Sequence, residues 1–178
     1  MTRLFRFATA VVFAGLLASA TSPGQAQSRS GERIVSFDAD ITVNADGALS
    51  IVETIDVVAR GNKIKRGIFR DFPTRSITSF GLNHIAGFRV ERILRDGKPE
   101  PYFFNELAAG VRIYIGRENI RLRPGQHRYT IAYKTTRQLL FRDTEDELYW
   151  NVTGDAWDFP IETATVPVRL PGGRAAKD

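Results

Sequence analysis

Six carboxylates, Asp143, Glu145, Asp146, Glu147, Asp155 and Asp158, fall between positions 143 and 158 with no basic residue among them. Two carboxylates held either side of a glycosidic bond can divide into general acid and nucleophile or base. Several carboxylate oxygens together also suit a hard cation such as Ca²⁺. The run lacks the EF-hand spacing and its central glycine, and spacing selects no two of the six. A plainer reading is electrostatic: the run faces water or lies against a basic segment.

Such a segment exists. Arg60, Lys63, Lys65, Arg66, Arg70 and Arg75 face the single acid Asp71, with Ile64, Ile68, Phe69 and Phe72 interleaved. A loop of this kind suits anionic lipid headgroups or an acidic partner. Its structural alternative has the apolar residues plugging the core while the cations stay solvated or pair internally. Lys63, Lys65, Arg66, Phe69 and Arg70 are the binding candidates here. No glycine-rich loop opens a helix, so a backbone phosphate cradle is not supported.

Both tryptophans lie in the stretch Leu148 to Ile161. Paired aromatics form a ligand platform or anchor a core. Trp150, in a strand-like run from Leu148 to Val152, is expected in the core. Trp157, close to Asp155, Asp158 and Pro160, is expected at the surface and joins the binding candidates. His84 and His127 have no partner at metal-ligand spacing and read as structural. Serine-nucleophile motifs are absent. With no cysteine, disulfides, zinc–thiolate sites and thiol nucleophiles are excluded. No catalytic residue, metal or cofactor is assigned.

Strands must position these residues. Val35, Phe37, Ala39, Ile41 and Val43 alternate with polar neighbours, the period-two signature of a strand with one wet face. Asn44-Ala45-Asp46-Gly47 turns the chain, and Leu49, Ile51, Ile55 and Val57 alternate again, giving an antiparallel hairpin. Phe88, Val90, Arg92 and Leu94 are read on one face of a further strand, turned by Asp96-Gly97. Val111 to Ile115 and the face His127, Tyr129, Ile131, Tyr133 continue the pattern, and Ala164, Val166 and Val168 close it. Only a short helical turn fits 138–147. An all-β, antiparallel β-sandwich over residues 33–171 follows.

The first 26 residues read as a signal peptide. Arg3 and Arg6 precede an uncharged apolar run, Phe7 to Ala18, and small-residue cleavage motifs end at Ala20 and Ala26, with Ala26 favoured. The run is shorter than the ~20 residues of a spanning helix. A flexible linker, 27–32, would follow. The domain is therefore expected to be exported, periplasmic or on the outer side of the inner membrane, and the lack of cysteine suits a bacterial envelope. Of the formal net charge of +5, two charges belong to the export segment. The remainder is too small for a nucleic-acid binder.

Four segments stand in order: Ile41 to Ile55, Gly67-Ile68-Phe69-Arg70-Asp71-Phe72-Pro73, Tyr129-Thr130-Ile131-Ala132-Tyr133, and Glu147-Leu148-Tyr149-Trp150-Asn151-Val152-Thr153-Gly154 with Trp157 and Pro160-Ile161. In this order behind a signal peptide they resemble the amino-terminal domain of the DUF2207 family of predicted bacterial membrane proteins. The resemblance implies an extracytoplasmic β domain normally followed by transmembrane helices, and it supplies no catalytic residue. Here no apolar run follows the domain, and 172–178 reads as a flexible tail at a truncation point. The leading expectation is a non-enzymatic binding or sensing module whose partner is an envelope protein, a lipid headgroup or a glycan. A carbohydrate-active enzyme using carboxylates in 143–158 is the alternative, and a spacer for a larger membrane protein the third.

Overall fold

The computed structural model describes residues 31–77, 81, 83–141 and 146–173. The segment read as a signal peptide lies outside them, as do most of the stretch read as a linker, the end of the tail, and Asp143 and Glu145. Strands β1 (Arg33–Val43) and β2 (Leu49–Ala59) form the expected hairpin around Asn44–Gly47. Then come β3 (Gly67–Pro73), a small hairpin β4 (Arg75–Ile77) and β5 (Asn83–Ile85), and β6 (Gly87–Arg95) with β7 (Lys98–Pro99). The pair β8 (Tyr102–Leu107) and β9 (Gly110–Gly116) precedes the long β10 (Gly125–Thr136). The chain closes with β11 (Leu139–Phe141), β12 (Asp146–Leu148), β13 (Ala164–Thr165) and β14 (Val168–Arg169).

Two sheets make the sandwich. The larger runs β13-β1-β2-β10-β6-β7, with β14 also against β1, and the smaller runs β3-β9-β8. Their inner faces meet: Phe37, Ile41, Ile51, Ile55, Tyr129 and Ile131 from the larger pack with Ile68, Phe72, Ile113 and Ile115 from the smaller in one cluster. Each such side chain taken from water contributes about 1.5–3 kcal/mol. Phe72, Phe88 and Tyr133 tie the layers together, with ring centroids 4.5–5.3 Å apart. The all-β antiparallel reading holds, and no helix long and apolar enough to cross a membrane occurs among the described residues.

Several details differ from the sequence reading. Val90 pairs with Tyr133 and Arg92 with Ala132, so Glu91 is an extra residue on β6. Such a bulge flips the alternation. Ile93, not Leu94 with Arg92, therefore continues the inward face of Phe88 and Val90 and is buried. At both ends of segment 138–147 the described residues pair as β11–β12, and 142–145 lie outside the described residues. Trp150 follows β12 outside any strand, though it still packs against the core. β13 and β14 run parallel to β1, so the carboxy-terminal stretch departs from the antiparallel pattern.

Strand direction defines two rims. Turn 44–47 and the starts of β6 and β11 lie at one. Loop 60–66, turn 96–97 and loop 117–124 lie at the other, where β2 and β6 end and β10 begins.

Candidate ligand-binding site

The inward register of β2 reads Leu49, Ile51, Glu53, Ile55, Val57, and that of β3 reads Ile68, Arg70, Phe72. An acid and a base thus stand among apolar residues on facing sheets. They meet in the core: Arg70 Nε and Nη2 each donate to a Glu53 carboxylate oxygen at 2.9 Å. Tyr133 Oη donates to Glu53 Oε1 at 2.9 Å, and Arg70 Nη2 also reaches the Val152 carbonyl at 3.1 Å. The Arg70 guanidinium lies 5.3 and 5.1 Å from the ring centroids of Phe37 and Phe72. Burial alone would lower its pKa, but the Glu53 carboxylate outweighs that and holds it above the ordinary arginine value. Arg70 is 4% exposed. It is a pillar between the layers, not a surface ligand, which corrects its place among the binding candidates. The four segments that carry the family resemblance converge here, since Glu53, Arg70, Tyr133 and Val152 come one from each.

Gly154 completes this arrangement. Its φ is +70°, and a Cβ built there would stand 2.4 Å from Arg70 Nη1. Gly154→Ala combines left-handed backbone strain with a displaced guanidinium. It is expected to lower stability by about 2 kcal/mol, read as the shift of a urea unfolding midpoint. An unchanged midpoint would show that Arg70 does not need that space.

Loop 60–66 is built around an acid that sequence reasoning passed over. Glu32 Oε1 accepts the amides of Arg60 (2.9 Å) and Asn62 (3.0 Å), and Oε2 those of Lys63 (2.6 Å) and Ile64 (3.1 Å). Partial burial raises its pKa, but these four bonds outweigh that and hold the carboxyl below its usual range. Ile64 and Leu122 are buried anchors, and the Leu122 amide bonds to the Lys65 carbonyl at 2.9 Å. Loops 60–66 and 117–124 are thereby fixed side by side with their cations outward.

Beneath them lies the outer face of the small sheet. Phe69, Tyr114 and Phe103 are cross-strand neighbours on β3, β9 and β8. Phe103 stacks on Tyr114 at 4.9 Å, and Arg112 lies 4.1 Å from the Phe69 centroid while bridging Asp71 at 2.5 and 2.7 Å. That carboxylate holds the Arg112 pKa above its ordinary value. Gly67 and Gly116 face each other at the end of this face. A Cβ on Gly67 would lie 1.8 Å from the Ile115 carbonyl, so only glycine fits where the two strands approach. The result is a hollow of about 280 Å³, its aromatic floor rimmed by Lys63, Lys65, Arg66 and Arg117, with one acid, Glu118, at the edge.

Four sequence candidates, Lys63, Lys65, Arg66 and Phe69, line this hollow together. Trp157 is not at the surface as expected. It is half-buried against Phe37 and Phe69, and its Nε1 donates to the Thr153 carbonyl at 2.8 Å. Phe103, Tyr114 and Arg117 were missed because nothing local marks them; cross-strand register brings them in. Of the acidic run, Asp146, Glu147, Asp155 and Asp158 are exposed, and Asp158 meets Lys63 at 3.7 Å, a solvated pair of little energetic weight. Among the described residues no group of three or more His, Asp or Glu is arranged to hold a metal. His84 reaches the Arg137 carbonyl, and His127 lies between Asp96 and the Arg123 carbonyl.

Comparison with known proteins places this arrangement. A family model described as "Predicted membrane protein (DUF2207) N-terminal domain" matches residues 33–178. "Uncharacterized protein YciQ" of Escherichia coli is 34% identical over 130 residues, which cover 73% of this chain and 21% of the relative. This chain thus spans about a fifth of that relative's length. Two solved structures of native yeast leukotriene A4 hydrolase superpose with TM-scores of 0.53 and 0.52 at 12 and 13% identity, over 79% of this chain and 23% of each enzyme. That likeness is one of fold alone.

Proposed function

The chain belongs to the DUF2207 family of predicted membrane proteins, as its amino-terminal domain, and from that premise we propose that it is a non-enzymatic binding or sensing module. The module works on the exported side of the membrane and takes its ligand in the aromatic hollow of the small sheet. The observation that carries this reading is the union of Phe69, Phe103 and Tyr114 with the cations Lys63, Lys65, Arg66 and Arg117 around one hollow. A flat aromatic floor accepts a sugar face or an apolar chain, and the cations at its rim, of which only Lys63 has a carboxylate within 4.0 Å among the described residues, select negative charge. Envelope lipids and anionic glycans both offer that combination. The signal-peptide reading of 1–26 supports export. Among the described carboxylates of 143–158, Asp158 pairs with Lys63 while Asp146, Glu147 and Asp155 are exposed, and this supports binding over hydrolysis.

Trp157 stacks on Phe69 with centroids 6.4 Å apart, so its emission reports on the floor. Anionic phospholipid vesicles and acidic wall polysaccharide fragments are titrated while tryptophan emission is followed, with a Trp150→Phe background to isolate Trp157. At least one probe is expected to shift the emission. The triple change Lys63→Glu, Lys65→Glu, Arg66→Glu is expected to weaken that probe tenfold or more, about 1.4 kcal/mol. Equal binding by the reversed variant would remove the hollow as the site.

A further inference from the structure

Beside the aromatic hollow lies a second one, of about 270 Å³, sharing Arg66 and Arg117 and adding Arg95, Arg121 and Arg123 with His127. About half of the described arginines have a carboxylate partner, among them Arg33 with Glu162, Arg70 with Glu53, Arg112 with Asp71 and Arg128 with Asp56. Arg66, Arg117, Arg121 and Arg123 are exposed, and none has a carboxylate within 4.0 Å among the described residues. The nearby carboxylates, Glu100 of the hollow's own lining among them, are already engaged. Glu100 bridges Arg95 at 3.1 Å, and Asp96 Oδ2 meets His127 Nδ1 at 2.9 Å. Glu118 stands on the far side, at the first hollow.

The cluster is held in place. Buried Leu122 sits between Arg121 and Arg123, and the Leu122 amide bond to Lys65 fixes Arg66 beside them. His127 Nε2 lies 2.8 Å from the Arg123 carbonyl and pins the end of the loop. Deeper in, Arg95 and Tyr129 are cross-strand partners, and both Arg95 Nε and Tyr129 Oη are buried without a hydrogen-bond partner among the described residues. Like charges around one hollow repel one another, and an anion among them relieves that repulsion.

We infer that the hollow bounded by Arg66, Arg117, Arg121 and Arg123 binds a phosphate group. Guanidinium forks match phosphate oxygens in pairs, and several forks on one small hollow favour a compact, highly charged anion over a single carboxylate. Side-chain forks do this work, so no glycine-rich cradle is required. The inference extends the binding reading above and shares Arg66 and Arg117 with it, while Arg121 and Arg123 belong to the second hollow alone. If the ligand of the first hollow also carries phosphate, Arg66 and Arg117 are the shared wall through which one molecule reaches both.

Calorimetric titration of the full chain at low salt uses three probes: inorganic phosphate, pyrophosphate, and vesicles of phosphatidylglycerol in phosphatidylcholine. Sulfate serves as the control anion. Binding of a phosphate probe is expected, tighter than sulfate and weakening as salt is raised. Arg121→Ala with Arg123→Ala is expected to weaken it about tenfold or more, with an unchanged unfolding midpoint showing that the variant folds. Phe103→Ala, which alters only the first hollow, is expected to leave it intact. Response to the soluble anions identifies free phosphate as a sufficient ligand; response to the vesicles alone identifies a lipid headgroup. No response to any probe, equal affinity for sulfate, or undiminished binding by the double arginine variant overturns the inference. Phosphate binding that persists in Phe103→Ala while the tryptophan response is lost separates the two sites.

Discussion

Glu53→Ala is expected to lower the folding stability by about 3–5 kcal/mol, the usual cost of removing one partner from a buried ion pair. Glu53 is fully buried and accepts three hydrogen bonds, two from Arg70 and one from Tyr133. Its loss leaves a guanidinium and a phenol in the core with no acceptor at their centre. Domains of this size have about 5–15 kcal/mol in total, so the variant stands near the threshold of folding. Tyr133→Phe removes one bond only and should cost about 1 kcal/mol. Replacing both charges, Glu53→Met with Arg70→Met, should recover most of the loss, because two apolar side chains carry no desolvation penalty. Denaturant midpoints for the four proteins decide this. A shift below about 1 kcal/mol for Glu53→Ala, or a double variant worse than the single, would show that the pair does not join the sheets as described.

Glu32→Ala should have the second-largest effect, local rather than global. The carboxylate gathers four amides of loop 60–64, so its removal frees the strip that carries Lys63, Lys65 and Arg66. Hydrogen exchange of the amides of Arg60, Asn62, Lys63 and Ile64 should rise roughly tenfold or more. Global stability should fall by only about 1 kcal/mol, since water can replace these exposed bonds. Acid should act the same way on the native protein. The Glu32 carboxyl is held below its usual range, as are those of Asp56, mainly by its hydrogen bond from Arg128, and Asp96. At Asp96, burial pushes upward, but bonds from His127 and the Arg128 amide outweigh it. A depressed carboxylate stabilises the fold at pH above its unfolded value and loses that contribution as pH falls through the folded one. Stability should therefore be level near neutrality and decline below about pH 4. The Glu32→Ala protein should show a shallower decline. Unaltered exchange in loop 60–64 would mean that Ile64 and Leu122 alone hold the rim.

The inner positions of β1 and β10 were legible because period-two patterning is a local consequence of the pleat. The Asn44–Gly47 turn was legible because its residues tolerate the backbone it needs. The basic segment was legible as composition, and four of its residues do converge on one hollow. Glu53 and Arg70 could also have been found: each breaks an apolar register, and opposite charges at such positions imply each other. Trp157 could not be placed, since its burial depends on Phe37 and Phe69 from two other strands.

From residues alone, then, come the expectation of an export signal, the strand class, the family resemblance and a candidate cationic loop. These rest on contacts between near neighbours, where spacing decides which face a side chain takes. Only the tertiary structure decided that Arg70 leaves that loop for the core and that Glu32 ties the loop's backbone. It alone set Phe103 and Tyr114 under the rim and the arginines of 117–123 beside Arg66. Those outcomes depend on register between strands distant in sequence, and one bulged residue such as Glu91 is enough to exchange an inward face for an outward one.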